Sequence, residues 1–345
     1  MLTLEKDETS TPVVGIYHES QRNPKRPHKM VHFSHQLDEE RQNSADTSAG
    51  VLELHRPYLK KRNLVNEEEF KDICKMLDGE EEPDQSHPLR AAYWNIRDAH
   101  ERFLQREMWL GDTPEYRFEH NFPRKRDDWP GSWTLIGNSG AGKTRHLVDT
   151  LIRYLRATPD AEKRPILYLS PEIEIDKTLK PLKDERWNMW FHGINTSEQA
   201  LTKKGMAAAS YYETHIAKKI DTLGENAIVC WDDFPDSAPA LVPMLEAKYN
   251  SSLRVARHRN QGVVSLQHTY AGGRRTSQAL QSNRHVTFFP RSQQARTIRF
   301  LTDHLQLSVP EAKALVRRFA SLDRYMTISM FSPVCIFNSQ YLHLL

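Results

Sequence analysis

Eight residues limit what this chain can fold into more than any other part of it. They are the run Gly137-Asn-Ser-Gly-Ala-Gly-Lys143-Thr144, set between the apolar run 132–136 (SWTLI) and an amphipathic stretch. A loop of this form needs its glycines because the backbone must wrap phosphate oxygens with no side chain in the way. Its successive N–H groups, with the N-terminus of the following helix, present partial positive charge to that anion. Leu147, Val148, Leu151, Ile152 and Leu155 share one helical face, so residues 143–155 are expected as a core-facing helix. Strand, loop and helix thus stand in the order the motif requires. The expected ligand is ATP with Mg²⁺, contacted by Gly137, Asn138, Ser139, Gly140, Ala141, Gly142, Lys143, Thr144 and Arg145. In that arrangement Lys143 reaches the β and γ phosphates and the Thr144 hydroxyl goes to the metal.

From Ser132 onward short apolar runs alternate with helical patterns, the mark of a mainly parallel α/β sheet covered on both faces, a three-layer α/β/α arrangement. Strands are expected at 132–136, 165–169, 188–191, 227–231, 262–266 and 285–289, with a second clear helix over 207–221. Beyond residue 323 the runs RYMTISM and VCIFN extend or flank the sheet. The expected division is an ATPase domain over 111–345, a helical lead-in over 65–110 and a largely disordered tail over 1–64. In the lead-in, Leu89, Tyr93, Ile96 and Phe103 line one face of a helix after Pro88. The tail mixes charge, Ser, Thr, Pro and His without a sustained period. Its basic runs PKRPHK and LKKR read as solvated chain, as nucleic-acid contacts or as nuclear signals.

Composition removes several classes. A net charge of +3 gives no whole-chain argument for nucleic acid. Cys74, Cys230 and Cys335 are too dispersed for a disulfide framework or paired zinc ligands, which fits a reducing compartment. With no apolar run near the roughly 20 residues that span a bilayer and no apolar signal core, a soluble intracellular protein without a membrane segment is expected.

The strand 227–231 runs into two carboxylates, Asp232 and Asp233, at the edge where ligands of parallel sheets collect. Asp232 is expected to hold Mg²⁺ and Asp233 to polarise the attacking water, although Asp is one methylene shorter than the Glu that often does so. Alternatively Asp233 only caps the turn Phe234-Pro235-Asp236. Strand 262–266 delivers Gln267, placed to face the γ-phosphate, and His268, read as its neighbour. Between Ser251 and Phe300 there is no Asp, Glu or Lys but nine arginines, Arg254, Arg257, Arg259, Arg274, Arg275, Arg284, Arg291, Arg296 and Arg299. Arginine's planar fork suits phosphate, and a one-sign segment repels itself unless it faces an anion. Arg274 and Arg275, behind Gly272 and Gly273, suit a DNA-contacting loop; Arg257 and Arg284, beside strand starts, suit arginine fingers; a basic solvated face is the bland reading.

Taken together, GNSGAGKT, the strand-end WDD, RHRNQGVVSLQH (257–268) and SNRHVTFF (282–289) resemble the poxvirus-type genome-packaging ATPases of the FtsK–HerA group, over roughly 132–300. The resemblance implies a homo-oligomeric ring that uses ATP to drive double-stranded DNA into a preformed capsid, with viral capsid proteins as partners and an intracellular viral assembly site as its location. It also implies nucleotide-site roles for Lys143, Thr144, Asp232, Asp233 and Gln267. Many members end the acidic strand in Asp-Glu, where this chain has Asp-Asp. A superfamily 3 replication helicase, a nucleotide kinase and a nucleotide-gated capsid scaffold are the competing readings. The long interval from Lys143 to Asp232 and the strand ending SLQH count against the helicase.

Overall fold

Alternate residues of the apolar runs face opposite sides of one sheet, and each side has its own helices to bury them. The structure, a computed structural model, describes residues 2–4, 11–18, 29–33, 66–78, 83–94, 107–110, 116–119, 132–256, 258–268, 285–330 and 333–345. In chain order the elements begin with β1 (Leu2–Thr3), β2 (Thr11–His18), β3 (Lys29–Phe33), α1 (Glu67–Asp78), β4 (Glu107–Trp109) and β5 (Tyr116–Glu119). The central part holds β6 (Ser132–Ile136), α2 (Lys143–Ala157), β7 (Ile166–Ser170), β8 (Phe191–Asn195) and α3 (Glu198–Lys204). Next come α4 (Ala208–Tyr211), a wide π turn (Tyr212–Ala217), α5 (Lys218–Leu223), β9 (Ile228–Asp232) and α6 (Val242–Val255). The remainder is β10 (Gly262–Gln267), β11 (His285–Phe288), α7 (Pro290–Leu305), α8 (Val309–Leu322), β12 (Met326–Ser329), β13 (Cys335–Phe337) and β14 (Tyr341–Leu344).

The large sheet has ten strands in the order β4-β14-β13-β12-β11-β6-β10-β9-β7-β8. From β11 to β8 every pairing is parallel, and from β11 to β4 every pairing is antiparallel. On one face Trp133, Leu135, Tyr168, Cys230 and Leu266 pack against Leu147, Val148, Leu151 and Leu155 of α2. On the other, Leu167, Leu169, Val229, Trp231 and Val263 pack against Ile216, Ile220, Leu245 and Tyr249. Val286 and Phe288 pack with Phe300 of α7 and Phe319 of α8. The mainly parallel three-layer α/β/α sheet is therefore as the periodicity leads one to expect.

Three stretches differ from expectation. Residues 188–190 form a turn, and the strand starts only at Phe191. Their apolar character serves the turn instead, where the Lys163 ammonium lies 5.1 Å from the Trp187 ring centre and 4.5 Å from that of Trp190. The sheet also gains β14 beyond the two C-terminal runs foreseen. Third, β1, β2 and β3 lie inside the stretch 1–64 read as largely disordered. With β5 they form a four-stranded antiparallel sheet. Val14 and Ile16 alternate inward and pack with Val31 and Phe118 against Cys335, Phe337, Leu342 and Leu344. That burial is supplied only by distant strands, so no local signal announces it. The other residues of 1–64 lie outside the described residues.

This small sheet is also tied to α2. The Glu119 carboxylate at the end of β5 accepts from Thr150 Oγ1 (2.9 Å) and from Arg153 Nε (2.6 Å), both on α2. In the lead-in, α1 starts at Asn66, whose side chain accepts from the Glu68 and Glu69 N–H groups while Glu69 accepts from the Asn66 N–H. Tyr93 is buried in a helical segment, and Ile96 and Phe103 lie outside the described residues.

Candidate active site

Because β10 pairs in parallel with β6 on one side and β9 on the other, the ends of these strands reach the same edge together. The Gly137 N–H donates to the Gln267 carbonyl at 3.1 Å, which ties the first residue of the loop to the end of β10. Gly137 is closely packed: a Cβ there would lie 3.0 Å from the Ala141 Cβ and 3.0 Å from the Phe289 ring, tighter than ordinary contact. Gly140 and Gly142 hold φ of 73° and 102°, the left-handed region that glycine enters without penalty. Asn138, Ser139 and Gly140 are exposed at the apex of the loop.

Lys143, the first residue of α2, is buried, and its Nζ donates to the Gly137 carbonyl (2.9 Å) and to His268 Nδ1 (3.3 Å). Burial lowers its pKa, against the opposing pull of Asp233, Asp232 and Asp236. Asp232 is also buried and its Oδ2 accepts from the Tyr168 hydroxyl at 2.9 Å. Burial, then the neighbouring Asp233, push its pKa up to about 7 against the hydroxyls of Tyr168 and Ser170. Asp233 stands just past β9 with φ 42°, a left-handed backbone that a non-glycine residue adopts only under constraint. Its Oδ2 lies 3.2 Å from His268 Nε2. Burial raises its pKa, while Lys143 and His268 pull it down. Donor atoms of Asp233, Asp236 and His268 all lie within 4.8 Å of one another.

Gln267 is half-buried beside the loop, its amide nitrogen 3.5 Å from Ser265 Oγ. Thr144 is half-buried in the first turn of α2. Arg145 is exposed and its Nε pairs with Asp149 one turn on, at 3.0 Å.

A further wall comes from α7. At Gln293 the helix leaves helical geometry (φ −142°, ψ 44°). The buried amide Nε2 of Gln293 donates to Asn138 Oδ1 (2.5 Å) and to the His268 carbonyl (2.9 Å). Asn138 Nδ2 returns a bond to the Ser292 carbonyl at 3.1 Å. Tyr168, Ser170 and Gln293 are site residues that sequence reasoning passes over. A tyrosine inside an apolar strand reads as core, and a kink within a helix leaves no periodic trace. Ser170 alone carried a signal, as the polar last residue of a parallel strand.

Arg257, Arg274, Arg275 and Arg284 lie outside the described residues. Two other arginines of the acid-free segment face carboxylates of the chain itself. Arg259 pairs with Asp221 (3.2 Å) and Arg299 with Asp303 (3.2 Å), acids that lie beyond the segment in sequence but beside it in space. Arg291 donates to the Ala320 carbonyl, and Arg296 reaches the His268 carbonyl at 3.4 Å.

These residues fit a nucleoside triphosphate with a hard divalent cation. The loop is a cradle that a Cβ at Gly137 would crowd, its lysine is poorly solvated, and the buried Asp232 carboxylate takes its hydrogen bonds from the hydroxyls of Tyr168 and Ser170. Thr144 and Asp232 offer the oxygen donors that Mg²⁺ prefers.

No family model and no curated protein matches the chain. Among solved structures, it is similar to the genome packaging NTPase from Sulfolobus turreted icosahedral virus 2 in complex with ATP-gammaS, at 13% identity and TM-score 0.35, over 60% of this chain and 96% of that one. The cytoplasmic domain of EssC overlaps at 17% identity and TM-score 0.32, over 53% of this chain and 36% of its own. The N-terminal domain of zonular occludens toxin from Neisseria meningitidis overlaps at 20% identity and TM-score 0.29, over 46% and 76%. Overlaps this loose decide nothing about what the chain does. Among the described residues no helix is long and apolar enough to cross a membrane.

Proposed function

We propose that the chain hydrolyses ATP at this edge and couples the hydrolysis to moving double-stranded DNA, as one subunit of a homo-oligomeric ring that fills a viral capsid. The observation that carries the ATPase reading is the convergence of Lys143, Asp232 and Asp233 where β6 and β9 end, with β10 between them bringing Gln267 and His268 to the same place. Residues 111–345 act as the motor in this reading.

Lys143 exchanges its contacts with Gly137 and His268 for phosphate oxygens, so the ammonium is held ready but not committed to a carboxylate. Asp233 holds the attacking water at the carboxylate oxygen that His268 does not engage, and its raised pKa makes it a better proton acceptor than an ordinary aspartate. The Gln267 amide orients that water from the neighbouring strand. Thr144 and Asp232 would hold Mg²⁺, which supplies charge neutralisation at the phosphates when bound. Arg257 and Arg284 are the candidate fingers across a subunit boundary, and Arg274 and Arg275 the DNA-phosphate contacts. The packaging role is supported by the sequence resemblance over 132–300.

ATP turnover measured alone, with double-stranded DNA and with single-stranded DNA tests the reading. The expected result is turnover stimulated by duplex DNA and abolished in Lys143→Ala. Stimulation by single strands alone favours a helicase, turnover indifferent to DNA favours a kinase-like enzyme, and no turnover favours a scaffold.

A further inference from the structure

His268 sits where a strand-end residue is easily taken for a spectator, yet it is the single side chain that touches both Lys143 and Asp233 among the described residues. Its two contacts fix its chemistry. An ammonium donates and has no lone pair to offer, so Nδ1 must accept from Lys143. The ring proton therefore stands on Nε2 and is directed at Asp233 Oδ2, 3.2 Å away. The backbone that carries the ring is held as well: the His268 carbonyl receives the buried Gln293 amide at 2.9 Å and Arg296 at 3.4 Å. Asp233 meanwhile rests in a left-handed backbone with a short side chain, and its amide nitrogen is 3.4 Å from the Leu266 carbonyl. Its carboxylate can turn about χ2, so a fixed donor to one oxygen decides which oxygen it presents to the site. Asp236, the other acid within reach of the imidazole, is exposed.

We infer that His268 is a positioning residue for hydrolysis: its Nε2–H pins Oδ2 of Asp233 so that the other carboxylate oxygen faces the water, while Nδ1 parks Lys143. This rests on the reading of Asp233 as the group that polarises the attacking water, and it deepens that reading.

Two substitutions divide the ring's two contacts. His268→Gln puts an amide N–H at about the reach of Nε2 and keeps a donor for Asp233. His268→Asn puts a carbonyl at about the reach of Nδ1 and keeps only the acceptor for Lys143. The full-length protein is assayed for kcat, and for the Kd of a fluorescent ATP analogue, which also reports folding. His268→Asn is expected to lose on the order of 10-fold or more in kcat, the worth of a hydrogen bond to a charged group, with Kd held. His268→Gln is expected to recover most of that loss. In an Asp233→Asn background, which itself lowers kcat, His268→Asn is expected to cost nothing further, since coupled residues are not additive. The opposite order, with Asn active and Gln inactive, overturns the inference in favour of a role through Lys143. Equal losses in both variants that persist in the Asp233→Asn background also overturn it, as a merely structural residue. If Asp233→Asn alone keeps full turnover, the water-polarising role of Asp233 falls, and the inference with it, while the assignment of Lys143 stands on its own test.

Discussion

Removing the Glu119 carboxylate should destabilise the protein far more than the loss of one surface ion pair. Glu119 and Arg153 retain only 6% and 12% of their side-chain exposure, so solvent screens their interaction little. Thr150 completes a closed triangle, donating to Glu119 Oε1 at 2.9 Å and accepting from Arg153 at 3.1 Å. For Arg153, burial alone would lower the pKa, yet the attraction and hydrogen bond of Glu119 leave it raised. Glu119→Ala strands a buried guanidinium with a lone hydroxyl acceptor, a change that costs about 3–5 kcal/mol. At roughly 2–4 °C per kcal/mol for a domain of this size, the melting temperature should fall by roughly 6–20 °C. Thermal and urea unfolding followed by circular dichroism measure it. The double change Glu119→Leu with Arg153→Met removes both charges and should lose less than either single change. A loss below about 1 kcal/mol for Glu119→Ala, the level of an exposed pair, refutes the reasoning. It would also remove the clamp that joins the N-terminal sheet to the helix carrying Lys143.

The remaining predictions concern the site. Asp232 has a folded-state pKa of about 7 against an ordinary 3.8, so the folded protein binds this proton more tightly than the unfolded one. Stability should therefore fall as pH rises between those values, and Asp232→Asn should stabilise the nucleotide-free protein at pH 8 by on the order of a few kcal/mol; a pH slope identical in the variant contradicts this. Gly137→Ala forces a Cβ against Ala141 and Phe289. At about 1–3 kcal/mol for such overpacking, affinity for a fluorescent ATP analogue should drop roughly 10-fold, and unchanged affinity means the loop gives way freely. Replacing Arg274 and Arg275 with Ala should flatten the slope of log affinity against log salt for duplex DNA by roughly one to two units and reduce DNA-stimulated turnover. If basal turnover collapses and the slope holds, the pair acts as fingers.

What could be read from the sequence depended on how local each signal is. The loop and the strand-end carboxylates were legible because eight neighbouring residues, or two, carry the whole motif. Five of the six parallel strands were legible as mainly apolar runs, since burial on both faces leaves few polar residues, Thr134, Ser265 and Thr287 among them, to interrupt the pattern. The sixth was shifted because the apolar residues Trp187 and Trp190 lie in a turn that packs on the core and meets Lys163, while the true strand contains His192 and Gly193. A Cβ at Gly193 would lie 3.0 Å from Ile173, a crowding that only tertiary packing reveals. The small N-terminal sheet was illegible for a related reason. Among the described side chains one or two per strand are buried, and their partners lie on β13 and β14, at the far end of the chain. Tyr168 and Gln293 act on residues far from them in sequence, Asp232 and Asn138, so only the assembled site reveals them.

The placement of β6 also dictates when the site can exist. Trp133 is hydrogen-bonded in register with Val264 on one side and His285 on the other, so neither neighbour of this strand has been synthesised when it leaves the ribosome. β7 and β8 can pair early, because they follow each other closely in the chain. The phosphate loop, by contrast, waits for the Gln267 carbonyl to anchor Gly137 and for Phe289 to close over it. Completion of the loop is then a late event in biogenesis, delayed because both partners of β6 lie far along the chain. Until β10 and β11 emerge, a strand destined for full burial keeps both edges open to any other strand in reach, which exposes the half-made sheet to mispairing.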